Sequence, residues 1–256
     1  MLFDLQSPRR RAAVKVIYAT LAVLLGGGLV LFGIGGDAAG GLLDALGLRD
    51  QSRNASSVYE QELEQANKKV AANPKDEAAL LTLVTLNIQD GNQKLEPTKS
   101  GQSVTTPEAE DAYNAAADAW DKYLELKPKN PDTGAAVQLA QSFFLMAQSS
   151  STATDAQVDL DNAADAQGVA ARNEGSVGVL SNYALYLYYA GRFGEADAAL
   201  AKAVAKTPAS DRKQVEKQFA AIEKQARDFQ KQVAAEAKGS GGAQGTNPLG
   251  GSALSP

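Results

Sequence analysis

The stretch Val177–Pro208 reads VGVLSNYALYLYYAGRFGEADAALAKAVAKTP and carries two apolar stripes separated by a glycine. Leu180, Tyr183, Ala184 and Leu187 stand at spacings of three, one and three, which puts them on one face of a helix. Gly191 breaks the run and Phe193 restarts it; Ala196, Leu200 and Ala203 form a second stripe that Pro208 ends. Two helices joined by a tight turn are predicted. Small Ala184 and Ala196 allow a close crossing, and Tyr183, Leu187 and Leu200 fill the space between the helices.

The pattern is similar to one tetratricopeptide (TPR) repeat. The large, small and large residues of W-x2-L-G-x2-Y, the A-x3-F stripe and the closing proline all have counterparts, with Leu180 for the Trp, Ala184 for the Gly and Leu200 for the aromatic. Working outward, the same register reappears. Asn54–Asn73 predicts a helix with Tyr59, Leu63, Ala66 and Val70 on one face. Glu77–Gly91 reads as the first helix of a repeat, with Leu80, Leu83 and Val84 in its stripe and Gly91 at the turn. Tyr113, Ala116, Trp120 and Tyr123 continue the pattern to Pro128, after an insertion whose polar, Pro- and Gly-containing segment 92–107 predicts a surface loop. Pro74 to Pro128 is 54 residues, one 34-residue period plus a 20-residue insertion. Pro128 to Pro208 is 80, two periods plus 12, and the polar segment Gln148–Thr154 is the expected place for most of the surplus. A middle repeat follows, with Leu139, Ala140 and Phe143 on its first helix and Ala163, Ala166 and Ala170 on its second.

After Pro208 a helix of about 28 residues is expected from Val215, Phe219, Ile222, Ala226, Phe229 and Val233, which alternate spacings of four and three. A repeat array needs its open end covered by a helix with one polar face, so a cap is the reading; a coiled-coil surface is the alternative, because the spacing is a heptad. The fold class expected is all-α: one N-terminal transmembrane helix, then a TPR-like array of helical hairpins over 54–238 with a long C-terminal capping helix. Residues 239–256 hold six Gly and no charge, which predicts a disordered tail.

The N-terminus separates from the rest by charge. Met1–Lys15 is a basic leader, and Val16–Gly36 runs 21 residues without a charge. A helix of that length rises about 31 Å, the thickness of a bilayer's hydrocarbon core. An uncleaved span is the reading; a cleaved signal peptide, with Gly36-Asp37-Ala38 as its small-residue site, is the alternative. Arg9, Arg10, Arg11 and Lys15 precede the run, whereas Asp37 and Asp44 follow it, so the N-terminus is expected in the cytoplasm and the helical domain outside. Residues 37–53 form a juxtamembrane linker, with Leu42, Leu43, Leu46 and Leu48 suited either to the lipid interface or to the first soluble helix.

Composition narrows the chemistry. The chain has no His and no Cys, which removes imidazole and thiolate catalysis, disulfides and the usual zinc or iron–sulfur ligand sets. Beyond residue 36 it holds 21 basic and 29 acidic residues, so no basic stripe for nucleic acid is expected. Asp155, Asp159, Asp161 and Asp165 form the densest acidic cluster, but Ala163 and Ala164 occupy places where a calcium loop needs ligands; a solvated helix face is expected, and no metal or other cofactor. An enzyme using a Ser/Lys or carboxylate pair is a remote alternative that no motif supports.

Resemblance to TPR arrays implies a groove lined by the first helix of each repeat. In this sequence it would hold Leu81 and Thr85, then Gln138, Gln141, Phe144 and Leu145, then Ser181, Leu185, Tyr188 and Tyr189. No Lys or Arg stands among them, so a carboxylate clamp of the kind some TPR cochaperones carry is not expected. The groove would suit an apolar or amide-rich segment, with Tyr188 and Tyr189 as anchors; the competing readings are that the C-terminal helix fills it or that these aromatics are core. In architecture the chain resembles single-pass membrane proteins with an extracytoplasmic TPR domain, including accessory proteins of the bacterial secretion translocon. That implies a scaffold or adaptor for a protein or peptide partner, or a chaperone-like helper at the translocon. Oligomeric state is not legible.

Overall fold

Polar residues placed just ahead of apolar runs set where the helices begin. Asp76, Thr106, Asp132, Thr152 and Ser176 each accept a hydrogen bond from the backbone N–H three residues on, satisfying one of the donors a helix start leaves open. A computed structural model describes residues 52–97 and 103–239. Its elements are α1 (Ser52–Ala72), α2 (Glu77–Gln93), β1 (Glu96–Pro97), β2 (Ser103–Val104), α3 (Pro107–Glu125), α4 (Thr133–Ser149), α5 (Ala153–Asn173), α6 (Val177–Tyr189), α7 (Phe193–Lys206) and α8 (Arg212–Ala237). Among the described residues the fold is all-α apart from one two-residue antiparallel ladder, Glu96 opposite Val104 and Pro97 opposite Ser103.

Three hairpins carry the most extensive contacts: α2 with α3, α4 with α5, and α6 with α7. The first two meet through α4, which packs on both α2 and α3, and the last two meet where α5 packs on α6. The apolar stripes read from the sequence are the buried faces. Leu80, Val84, Tyr113, Ala116, Ala140, Ala184, Leu187, Ala196 and Ala203 are fully enclosed. Along α1, Leu63, Ala66 and Val70 face the core, and Tyr59 Oη donates to the Leu86 carbonyl of α2 at 2.9 Å. Tyr183 departs from its expected place between α6 and α7. Its ring lies against Gly168 of α5, where an added Cβ would come within 3.2 Å of it.

Two expectations about connections are corrected. The segment 92–107 is not loop throughout: α2 continues to Gln93, and the short ladder closes the insertion before Pro107 starts α3. The 12 surplus residues between Pro128 and Pro208 do not collect in Gln148–Thr154. Helix runs through Ser149 and restarts at Ala153, and α4 and α5 have 17 and 21 residues against 13 and 14 for α6 and α7. The surplus lengthens helices because Ala-rich sequence extends a helix at little cost, whereas a longer loop must be ordered without hydrogen bonds of its own.

The leader at 1–15, the charge-free run at 16–36, all but the end of the linker at 37–53, and the tail beyond Gly239 lie outside the described residues. Among the described residues no helix is long and apolar enough to cross a membrane.

Gly191 ends α6 in the left-handed region, at φ +77°. Its N–H donates to the Tyr188 carbonyl and that of Arg192 to Leu187, the paired bonds of a Schellman close. A side chain here meets the left-handed penalty of about 1–2 kcal/mol. An added Cβ would also press on the Gln230 amide of α8 at 2.9 Å. Gly191→Ala should lower the unfolding free energy read from urea melts by at least that penalty, and Gly191→Asn by less, because Asn tolerates this conformation.

Candidate partner surface

The residues expected to line a groove lie on α2, α4 and α6, and they divide into two groups by exposure. Thr85 and Gln138 are exposed, while Leu81, Gln141, Phe144, Leu145, Ser181 and Leu185 are half-buried. Leu81 and Thr85 share a face of α2, one turn apart, with Thr85 Oγ1 donating to the Leu81 carbonyl at 3.0 Å. Gln138, Gln141 and Leu145 share a face of α4, and Ser181 and Leu185 a face of α6. Phe144 links two of these helices: its ring centroid stands 5.0 Å from that of Tyr186 and 6.5 Å from that of Tyr189.

Tyr188 and Tyr189 belong to the second group. Both are only 2% exposed, and the helix that covers them is α8. Tyr189 meets the Phe229 ring edge-on at 6.3 Å and donates its hydroxyl to Gln225 Oε1 at 3.1 Å. Tyr188 packs between Phe193 and Phe219, at 6.1 and 6.3 Å, and donates to Asp197 Oδ1 at 2.6 Å. Burial holds both phenols neutral: it pushes Tyr189 up to about 12 and raises Tyr188 as well, with Asp197 adding to the latter. As the structure stands these two side chains anchor α8 rather than an outside segment.

Polar contacts run along the same seam. Gln230 Nε2 of α8 donates to the Tyr189 carbonyl at 2.7 Å and to Gln157 Oε1 of α5 at 2.6 Å. Gln157 Nε2 in turn donates to the Ala190 carbonyl at 3.1 Å. Farther along, Glu236 accepts from both the backbone N–H and the hydroxyl of Thr154. On the other edge the Arg227 guanidinium lies 4.2 Å over the Phe193 ring, held by Glu223.

Tyr186 is the residue that stripe-reading passes over. It is 4% exposed and touches Phe144, although it lies on neither the predicted core stripe nor the predicted groove face. Its signal was present: Tyr183, Tyr186, Tyr188 and Tyr189 point around the whole circumference, and a helix apolar on all sides is one covered on all sides.

The acidic cluster of α5 also divides. Asp155 and Asp165 are exposed, and Asp165 pairs with Arg192 at 2.6 Å. Asp159 instead turns inward, accepting from Ser150 Oγ at 3.2 Å, so the solvated face expected for all four residues holds only in part. Burial pushes its carboxyl up to about 6, assisted by Glu110 and Asp155 and opposed by the Ser150 bond. A carboxyl raised from an ordinary 3.8 contributes stability that is fully present below pH 4 and is lost as pH rises through about 6. Asp159→Asn, which keeps an oxygen for Ser150, should therefore match the parent at pH 4 and exceed it at pH 7.5 by about 1–2 kcal/mol. Thermal melts of both proteins across that range would show it.

One cleft of about 210 Å³ lies between α1 and α2, lined by Glu62, Gln65, Lys69, Asp76 and Thr82 together with alanines. Its charges are of both signs, and Asp76 is already engaged in capping α2. Among the described residues no three carboxylates gather in a metal-holding arrangement. Comparison of the chain with protein-family models, with curated proteins and with solved structures finds no match.

Proposed function

We propose that the chain is a membrane-tethered scaffold whose TPR-like hairpins hold a protein or peptide partner at the outer face of the membrane. The observation that carries this reading is the chemistry of the α2, α4 and α6 faces. Leu81, Thr85, Gln138, Gln141, Phe144, Ser181 and Leu185 include no charge, on a chain of which 21% is charged. Neutral, partly apolar surface of this kind costs little to desolvate and leaves amides to pair with a partner's backbone. The charge-free run at 16–36 behind a basic leader supplies the tether, and tethering raises the local concentration of groove and partner, so weak contacts suffice. Binding rather than catalysis suits a chain without His or Cys.

Photoreactive residues placed at Thr85 and Gln141 in cells test the proposal, with exposed Asp118 of α3 as the control. Adducts to one recurrent protein from the first two sites and not from the third are expected. A wide spread of unfolded clients would favour the chaperone-like helper at the translocon. Equal yields at all three positions would remove the face from consideration.

A further inference from the structure

α8 covers a surface without being deeply built into it. Three of its 26 residues are buried, Phe219, Ala226 and Phe229. Six of the 13 residues of α6 are buried, Tyr188 and Tyr189 among them. α8 packs on α6 and α5 more than on α7, the helix that precedes it in the chain, so its main seam is not with its sequence neighbour. The free energy of local opening follows buried apolar contact, which places an element with so thin a seam toward the low end of the stability scale. The polar contacts agree: the Gln230 bonds are part-buried and those between Glu236 and Thr154 are exposed, so water replaces them at small cost.

What opening would bare matters more than the opening itself. Tyr188 and Tyr189 would come to the surface beside Phe144, whose ring already touches Tyr189. The neutral faces of α4 and α6 would then continue without a break into an aromatic shelf shaped to hold a helix. We propose that α8 is a reversible cover that occupies, in cis, the seat of an amphipathic helix from a protein partner. This rests on reading the α2, α4 and α6 faces as a docking surface. The seated helix states the partner's chemistry: two large apolar side chains ten residues apart, as Phe219 and Phe229 are, with a small residue three before the second, where Ala226 is fully enclosed. An amide one residue beyond the second aromatic would take the place of Gln230. The partner's outer face is unconstrained, since Glu216, Lys217, Lys224 and Lys231 of α8 are exposed.

Native-state hydrogen exchange on the full-length chain tests the cover, and a labelled synthetic peptide spanning Arg212–Lys238 tests the seat. α8 amides should exchange roughly tenfold or more faster than those of α6. Gln230→Ala should accelerate α8 further while leaving α2 to α4 unchanged. The peptide should bind the Gln230→Ala chain at least about fivefold more tightly than the parent, because the competing cis hydrogen bonds to Tyr189 and Gln157 are lost and one such bond is worth about 1 kcal/mol. Equal exchange of α8 and α6 in both proteins would overturn the proposal, since the helix would then leave only on global unfolding. Fast exchange with no peptide bound to either chain would overturn it too, because the bared shelf would take no helix. Crosslinking at Thr85 and Gln141 reads the docking surface on α2 and α4, so its failure is told apart from failure of the cover.

Discussion

Tyr113→Ala should destabilise the protein by about 3–5 kcal/mol, the ordinary cost of emptying a large aromatic site in a closed core. The ring is fully buried where α2 crosses α3, and its hydroxyl donates to Asn92 Oδ1 at 2.8 Å. The crossing is close because Gly91 has no side chain. An added Cβ there would stand 2.6 and 2.8 Å from Cδ1 and Cζ of the ring, and nearer still to Cε1. Gly91→Ala therefore sets two effects against each other. Ala gains about 1 kcal/mol over Gly inside a helix, whereas overpacking against an immobile ring costs about 1–3 kcal/mol, so a net loss is expected. In a Tyr113→Ala background the obstruction is gone and the sign should reverse, with Gly91→Ala neutral or stabilising by up to about 1 kcal/mol. Urea unfolding of the four proteins closes the cycle. Equal effects of Gly91→Ala in both backgrounds would mean that Tyr113 and Gly91 do not meet as described.

That contact shows what the sequence makes legible and what it does not. Tyr113 reads correctly by local pattern as the start of a stripe, whereas Gly91, which the pattern puts at the turn, lies inside α2 two residues before its end. Their meeting is a matter of tertiary register, which periodicity does not encode. The apolar stripes are legible because a period of three and four is local, whereas the capping by Asp76, Thr106, Asp132, Thr152 and Ser176 is seen only in the structure. Within the insertion at 92–107 the two-residue ladder is not legible, because it leaves no alternating pattern to detect. The candidate surface was legible in part for a related reason. A stripe names the face of a helix that meets its hairpin partner, and Leu180, Ala184 and Leu187 are buried as that rule requires. It does not say what the opposite face meets. Tyr188 and Tyr189 were expected as anchors with two competing fates, and only the position of α8 distinguishes them. Asp159 was grouped with its neighbours by composition, although one inward turn of α5 gives it a different environment from Asp155 and Asp165.

Phe229→Ala should have a comparably large local effect and a different global one. The ring is 2% exposed and meets Tyr189 edge-on, and its loss removes about 3–5 kcal/mol of packing from the α8 seam. Only Phe219 and Ala226 would remain fully buried on that helix, and a seam so reduced no longer offsets the entropy of ordering α8. The helix should then detach before the hairpins unfold, so that urea melts followed by circular dichroism show an early loss of helix ahead of the main transition. The cost to that main transition would be less than the full packing loss, because a helix that has already left contributes nothing further. Tyrosine titration gives an independent view of the same event. Burial is what pushes the Tyr189 phenol up to about 12, so detachment should bring its ionisation down toward the ordinary 10. Subtracting the titration of Phe229→Ala/Tyr189→Phe assigns the change to this residue. A single cooperative transition carrying the whole loss, with Tyr189 still ionising near 12, would show instead that α8 and the hairpins share one indivisible core. The seat on α6 would then be closed to any other helix.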